Sequence, residues 1–417
     1  MFYFIVYIYI CSSCSELILN GTFIYNVHKQ NICSNAFMTV PLCIGNHIQH
    51  TQCFDLLYDI NGRHIMLFDD HVDKTKGYKR SLSSTYSLIP DIMHVSTIEN
   101  IGTLHSNLIT ESIYIPTFNK SISHVNILEL YEISFNYPQQ HHTGVIGFHH
   151  IHEKNNDYLY LKHLEHNHII SNTNYYVQYT SPTNALFTIG IKYNDPIINT
   201  FNFCKSLQST DSYYNSLPFP WSCKFNYISY KDQPFIHLTS NSNVVVFNTM
   251  INGIYAPWKE GIAMLTEYVN ASNNKCRLII DNSIGYKEQG SYVKCNRNFN
   301  YSSLPLFTLV NQDGVNIKLH PIDVFNYTSG ESYLKAKKYQ YSWTLDLNVL
   351  KHYDIFVSST QHEMGFKEND IFPCTYSFMK QHYPFSYYEC TLLFNKLTSF
   401  ILVCSIIFLS IIKYNTL

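Results

Sequence analysis

Short apolar runs separated by polar turn clusters set the pattern of this chain. Runs rich in Ile, Val, Tyr and Phe recur as FMTVPLCIG, HIMLF, ESIYIPTF, NILELYEISF, ALFTIGI, NVVVFNTMI, PLFTLV, VNIKLH and HYDIFVSS. β-Branched and aromatic residues grouped this way predict strands, and the whole chain reads as mostly β. Long helical periodicity is scarce. DYLYLKHLEHNHI places Tyr158, Leu161, Leu164 and His168 at helical spacing, and LDLNVLKHY is a second helix candidate. Two apolar runs stand out because each ends in an acid: LLYDING at Asp59 and RLIIDNS at Asp281. An aspartate at the end of a buried strand is costly unless something binds its charge. The repetition predicts two similar lobes, with carboxylates that meet across a cleft and share a proton. Taken alone, LLYDINGRHIML also fits a plain hairpin, since Asn-Gly favours a type I′ turn. Asp281 alone also fits a turn or capping residue.

The ends of the chain change the picture. MFYFIVYIYICSSCSE reads as a signal peptide, residues 1–15, with small residues fit for cleavage near Ser13 or Ser15. Leu397 to Ile412 is an uncharged apolar run flanked by Lys396 and Lys413. At ~1.5 Å per residue it is slightly short for a ~30 Å hydrocarbon core, which a thin bilayer accommodates. The expectation is a single-pass type I membrane protein of the secretory pathway, in the endoplasmic reticulum or at the cell surface. Its ectodomain would be lumenal or extracellular. Cysteine usage agrees with an oxidising compartment. Cys276/Cys295 and Cys374/Cys390 read as local disulfides, and sequons at Asn20, Asn119, Asn270, Asn300 and Asn326 suit a lumenal surface.

With 46% hydrophobic residues the composition is globular, and a net charge of −2 without a basic tract argues against nucleic acid as a partner. Residues 197–231, with SLPFPW and two cysteines, read as a connection between lobes at 16–196 and 232–368. Residues 369–396 read as a stalk. His141, His142, His149, His150 and His152 crowd one segment, but no acid or Cys has fixed spacing with them, so no metal is expected. No cofactor fingerprint is present: GxSxG, HExxH, P-loop and Rossmann patterns are all missing.

From about Phe37 to Phe366 an ordered series of segments resembles the pepsin-like aspartic peptidases. TVPLCIGNHIQ resembles the entry strand with Ile-Gly-x-Pro-x-Gln, and LLYDINGRHIML the first catalytic strand and turn. SSTYS, TGVIGF, the DYLYLKHLEHNHII helix and ALFTIGIKYND follow in family order. NTMINGIYAP resembles the strand before the second aspartate loop. SSLPLFTLVNQDGVNIKLHPIDVF and WTLDLNVLKHYDIFVSSTQHEMGF resemble the closing segments. The anchor and QQHHTGVIGF are most similar to the membrane-anchored plasmepsin V-like group, which processes exported proteins in the endoplasmic reticulum.

The resemblance implies a bilobal fold of double β-barrel type around a central cleft, and an Asp59/Asp281 dyad that activates water for peptide hydrolysis. Peptide or protein would be the ligand, with the membrane engaged through the C-terminal helix. Each catalytic loop of the family reads Asp-Thr/Ser-Gly. Here Ile60 and Asn61 follow Asp59, and Asn282 and Ser283 follow Asp281, so a bracing hydroxyl and both glycines are lost. Gly62 and Gly285 lie further along. The flap tyrosine falls at Glu99. A Cβ in a crowded loop can move a carboxylate by an ångström, enough to cost ~100-fold in rate. The alternative to an endopeptidase is therefore a pseudo-protease that holds a peptide or partner protein in its cleft.

Overall fold

The computed structural model describes residues 16–25, 36–46, 51–98, 102–134, 143–149, 159–181, 184–207, 221–280, 290–296, 299–326 and 329–369. The expected signal segment, most of the stalk and the apolar run 397–412 lie outside them. Among the described residues no helix is long and apolar enough to cross a membrane.

Among the described residues the apolar runs pair into three sheets. The largest has thirteen strands: β1 (Leu17–Tyr25), β2 (Ala36–Ile44), β3 (Gln52–Asp59), β4 (Ile65–Phe68), β5 (Ser87–Ile98), β6 (Gly102–Ile115), β7 (Lys120–Ser134), β8 (Gly144–Gly147), β9 (Tyr175–Ser181), β10 (Asn184–Ile189) and β11 (Asn202–Lys205), joined by β23 (Tyr353–Ser358) and β24 (Glu363–Glu368). Six of these close on themselves as a barrel in the order β2-β3-β8-β4-β7-β6, sealed where Cys43 and Ile44 of β2 pair with Tyr114 and Ile113 of β6. A seven-stranded sheet holds β12 (Ser222–Lys224), β15 (Val244–Phe247), β22 (Trp343–Leu345), β16 (Ile254–Pro257), β21 (Leu334–Lys337), β18 (Gly290–Cys295) and β17 (Cys276–Ile279), in that spatial order. The third sheet runs β14 (Gln233–His237), β13 (Tyr227–Tyr230), β19 (Phe307–Val310), β20 (Asn316–Leu319).

The two larger sheets repeat one arrangement. In the first, β3 is parallel to β8, β8 antiparallel to β4, and β4 parallel to β7. In the second, β15 is parallel to β22, β22 antiparallel to β16, and β16 parallel to β21. The plain hairpin at LLYDINGRHIML is thereby excluded: β3 and β4 do not pair, because β8 lies between them. Asn61 and Gly62 thus turn the chain out of one strand and over its neighbour.

Helices are few. α1 (Tyr160–His166) buries Leu161 and Leu164 as the periodicity predicts, and Tyr160 with them; Tyr158 lies outside the described residues, and His168 lies beyond the helix end, exposed and with φ 55°. α2 (Trp258–Ala271) was not expected from the sequence. It buries Gly261, Met264, Leu265 and Tyr268, one stripe of a helix. A Cβ on Gly261 would lie 2.7 Å from the Ala336 Cβ, so the glycine lets α2 press onto β21. α3 (Pro321–Val324) and α4 (Leu347–Leu350) are single turns; Asp346 caps α4 by accepting the Asn348 N–H at 3.1 Å. The connection at 197–231 carries β11, β12 and all of β13. Disulfides join Cys43–Cys53, Cys204–Cys223 and the expected pair Cys276–Cys295. Cys374 and Cys390 lie outside the described residues.

Candidate functional site

β3 gains cover on both faces as it runs toward Asp59. Cys53 and Asp55 are exposed and alternate with buried Phe54 and Leu56, after which Leu57 and Tyr58 are both buried. Tyr58 anchors the strand end in an aromatic cluster. Its ring lies 5.2 Å from that of Phe148 and 5.0 Å from that of Phe187, edge to face, and its hydroxyl meets that of Tyr175 at 3.1 Å.

The Asp59 carboxyl sits where this strand ends, on a residue largely enclosed by protein. Burial pushes its pKa up to about 6, against the opposing effect of the Asn61 and Gly62 amides. The Asn61 N–H donates to its Oδ1 at 2.9 Å. Gly62 closes the turn by donating to the Asp59 carbonyl at 3.3 Å. A Cβ on Gly62 would come within 2.7 Å of Asp59 Oδ2, and one on Gly147 within 2.1 Å of the Gly62 carbonyl oxygen. Both close approaches require glycine. Gly62 therefore serves beside the carboxylate although it stands one position later than the family pattern places it.

A loop from the other sheet locks onto this turn. Thr249 Oγ1 accepts the Ile60 N–H at 3.1 Å and donates to the Tyr58 carbonyl at 2.8 Å, bracketing Asp59. In return, Asn61 Nδ2 donates to the Phe247 carbonyl at 2.6 Å. Ile60 has no hydroxyl with which to brace the loops, as expected, but the Asn61 amide spans the gap instead. Met250 completes the junction by packing with Leu57, Met66 and Val145.

The repeated strand order identifies the counterpart of Asp59. β3 ends at Asp59 and β4 begins six positions on; β15 runs into Asn248 and β16 begins six positions on. Both side chains make the same local bond, for the Met250 N–H donates to Asn248 Oδ1 at 2.9 Å. Asn248 also anchors its strand end by donating its N–H to the Leu345 carbonyl at 2.9 Å. Neither Asn248 nor Thr249 was among the residues the sequence singled out. The signal was present, since NVVVFNT repeats the apolar-run-then-polar pattern of FDLLYDI, but a search for aspartates passes over it.

Of the residues the sequence named, Asp59, Ile60, Asn61 and Gly62 come together in this turn. Asp281, Asn282 and Ser283 lie outside the described residues, as does Glu99, which falls between the paired ends Ile98 and Gly102 of β5 and β6. β17, the strand that leads toward Asp281, is at the far edge of the seven-stranded sheet, five strand steps from β15. That is ~24 Å along the sheet at ~4.8 Å per step. Of the histidine group, His149 is buried and donates its N–H to the Gly62 carbonyl at 3.0 Å; the others fall outside the described residues. Elsewhere, ligand atoms of Asp69, Asp70 and His71 lie within 4.8 Å of one another. There Asp69 Oδ1 is already taken by the amides of His71 and Val72. In comparisons with known proteins, no family model matches this sequence and no curated protein is significantly similar to it.

Proposed function

We propose that this chain is a bilobal, pepsin-like protein of the secretory pathway that holds an extended peptide in its cleft without cutting it. One observation carries the reading: the loop clasped to the Asp59 turn is Asn248-Thr249-Met250, which has no carboxyl group. Hydrolysis by the aspartic mechanism needs two carboxyls around one water, one ionised and one protonated. A single carboxyl opposite an amide keeps the shape of such a site but cannot pass the proton between two acids. The retained clasp and the paired glycines Gly62 and Gly147 support selection for a shaped floor.

The test is incubation of the full chain, in detergent because of its apolar C-terminal run, with mixed peptides from pH 4 to 7. A transition-state-mimicking aspartic-peptidase inhibitor serves as ligand and as control. The expected result is saturable inhibitor binding without turnover. Inhibitor-sensitive cleavage that disappears in Asp59→Ala would overturn the binding-only reading in favour of an endopeptidase, and a second acid such as Asp281 would then have to be sought.

A further inference from the structure

Asn248 is only 5% exposed, and its polar atoms are unequally satisfied. Its N–H goes to the Leu345 carbonyl and its Oδ1 takes the Met250 N–H. That bond fixes the orientation of the side-chain amide, because only the oxygen can accept. Nδ2 is left as a donor with no protein partner among the described residues. A donor so nearly buried is expected to be satisfied by something. Across the clasp, Asp59 commits Oδ1 to the Asn61 N–H, while its Oδ2 lies beside Gly62. The bonds from Thr249 to residues 58 and 60 hold the two loops together, so an acceptor at Asp59 and an oriented donor at Asn248 stand on adjoining loops.

That pairing has a complement. In an extended strand the N–H and C=O of one residue point to the same side, which is why residues in an antiparallel ladder exchange two hydrogen bonds. We propose that Asp59 and Asn248 form a recognition pair for the main chain of one residue of an extended peptide. Asp59 accepts that residue's N–H and Asn248 Nδ2 donates to its carbonyl oxygen. This rests on the peptide-holding reading above. It adds which chemical group is read, and it explains an asparagine at this position as a working residue. Two carboxylates would offer a peptide group two acceptors and, at neutral pH, repel each other; the mixed pair offers one of each.

The experiment measures binding by the full chain at pH 7. The probes are a fluorescein-labelled pool of random decapeptides and the same pool N-methylated along its main chain. Wild type should bind the unmethylated pool at least tenfold more tightly. Asn248→Asp, which keeps the shape and removes the donor, should weaken binding of the unmethylated pool about tenfold. Asp59→Ala should shrink the penalty for methylation severalfold. Wild-type binding that ignores methylation, or that survives Asn248→Asp and Asp59→Ala unchanged, overturns the pair while leaving the peptide-holding reading intact. No binding by wild type overturns that reading and the pair with it. The comparison of methylated and unmethylated pools on wild type needs no variant, so a poorly folding substitution does not blunt it.

Discussion

At Asp59, burial and chemistry pull in opposite directions. The enclosed carboxyl holds its proton to about pH 6, whereas an unfolded chain releases it near the ordinary 3.8. Between those values the native state keeps a proton that the unfolded state has lost, so stability falls as pH rises through the window from about 4 to 6. Asp59→Asn keeps the acceptor for the Asn61 N–H and removes the charge. Because Asp59 as a residue is only partly buried, the expected gain at pH 7 is about 1–2 kcal/mol, below what the full shift implies. At pH 4 the gain should vanish. Urea unfolding at the two pH values measures it, and an equal gain at both would contradict the burial account. Thr249 invites the opposite change. Thr249→Val preserves shape but leaves the Ile60 N–H and the Tyr58 carbonyl without their shared partner, and should cost about 2 kcal/mol. Thr249→Ser, which restores the hydroxyl, should recover most of that in the same unfolding assay.

Among the elements, the two short helices of the second half are held by a buried charge cluster. Asp323 of α3 meets Lys351 Nζ at 2.9 Å and His352 Nε2 at 2.6 Å, both just after α4, and the ring of His320 lies 4.9 Å from that of His352. Burial alone would raise the pKa of Asp323; the neighbouring His352 and Lys351 outweigh it and hold the carboxyl well below the ordinary range. A depressed carboxyl stabilises the fold above its unfolded pKa, and that contribution fades as pH falls below about 4. Lys351→Met removes one partner from a fully buried acid and should cost about 3 kcal/mol at pH 7. The loss should shrink at pH 3, which thermal melts at both pH values will show. α4 was legible in the sequence as the apolar turn within LDLNVLKHY, and the structure adds the Asp346 cap that starts it. The strands were legible as apolar runs, and β3 was read correctly into Asp59. α2 was hidden by composition: Gly261 and Tyr268 on its buried stripe are poor helix formers, and packing on β21 overrides that preference. The neighbour of the Asp59 turn was hidden for a different reason. Which strand end faces which is decided by sheet order, and the apolar run alone does not tell that NVVVF leads into the loop bonded to the Asp59 turn.

Across the whole molecule, two devices of different kinds stand out among the ties between the thirteen-stranded and seven-stranded sheets. One is the clasp at Asp59, built from hydrogen bonds of Thr249 and Asn61. The other is the Cys204–Cys223 disulfide, which links β11 at the edge of the first sheet to β12 at the edge of the second. The disulfide acts on the unfolded chain as much as on the folded one. Closing its 19-residue span removes conformational freedom that unfolding would otherwise release, worth about 3 kcal/mol. The clasp acts instead on the geometry around Asp59. The two should therefore separate under mutation. Cys204→Ala with Cys223→Ala should lower stability by about 3 kcal/mol and leave affinity for the unmethylated peptide pool within twofold of wild type. Thr249→Val should weaken peptide binding severalfold even at temperatures where its melting curve shows the protein fully folded. Unfolding and binding measured on the same samples decide the matter. If losing the disulfide weakens binding as much as losing the Thr249 hydroxyl does, the proposed peptide site depends on how the sheets are tethered in general. If only the Thr249 change does so, that site is set locally, by the bonds that bracket Asp59.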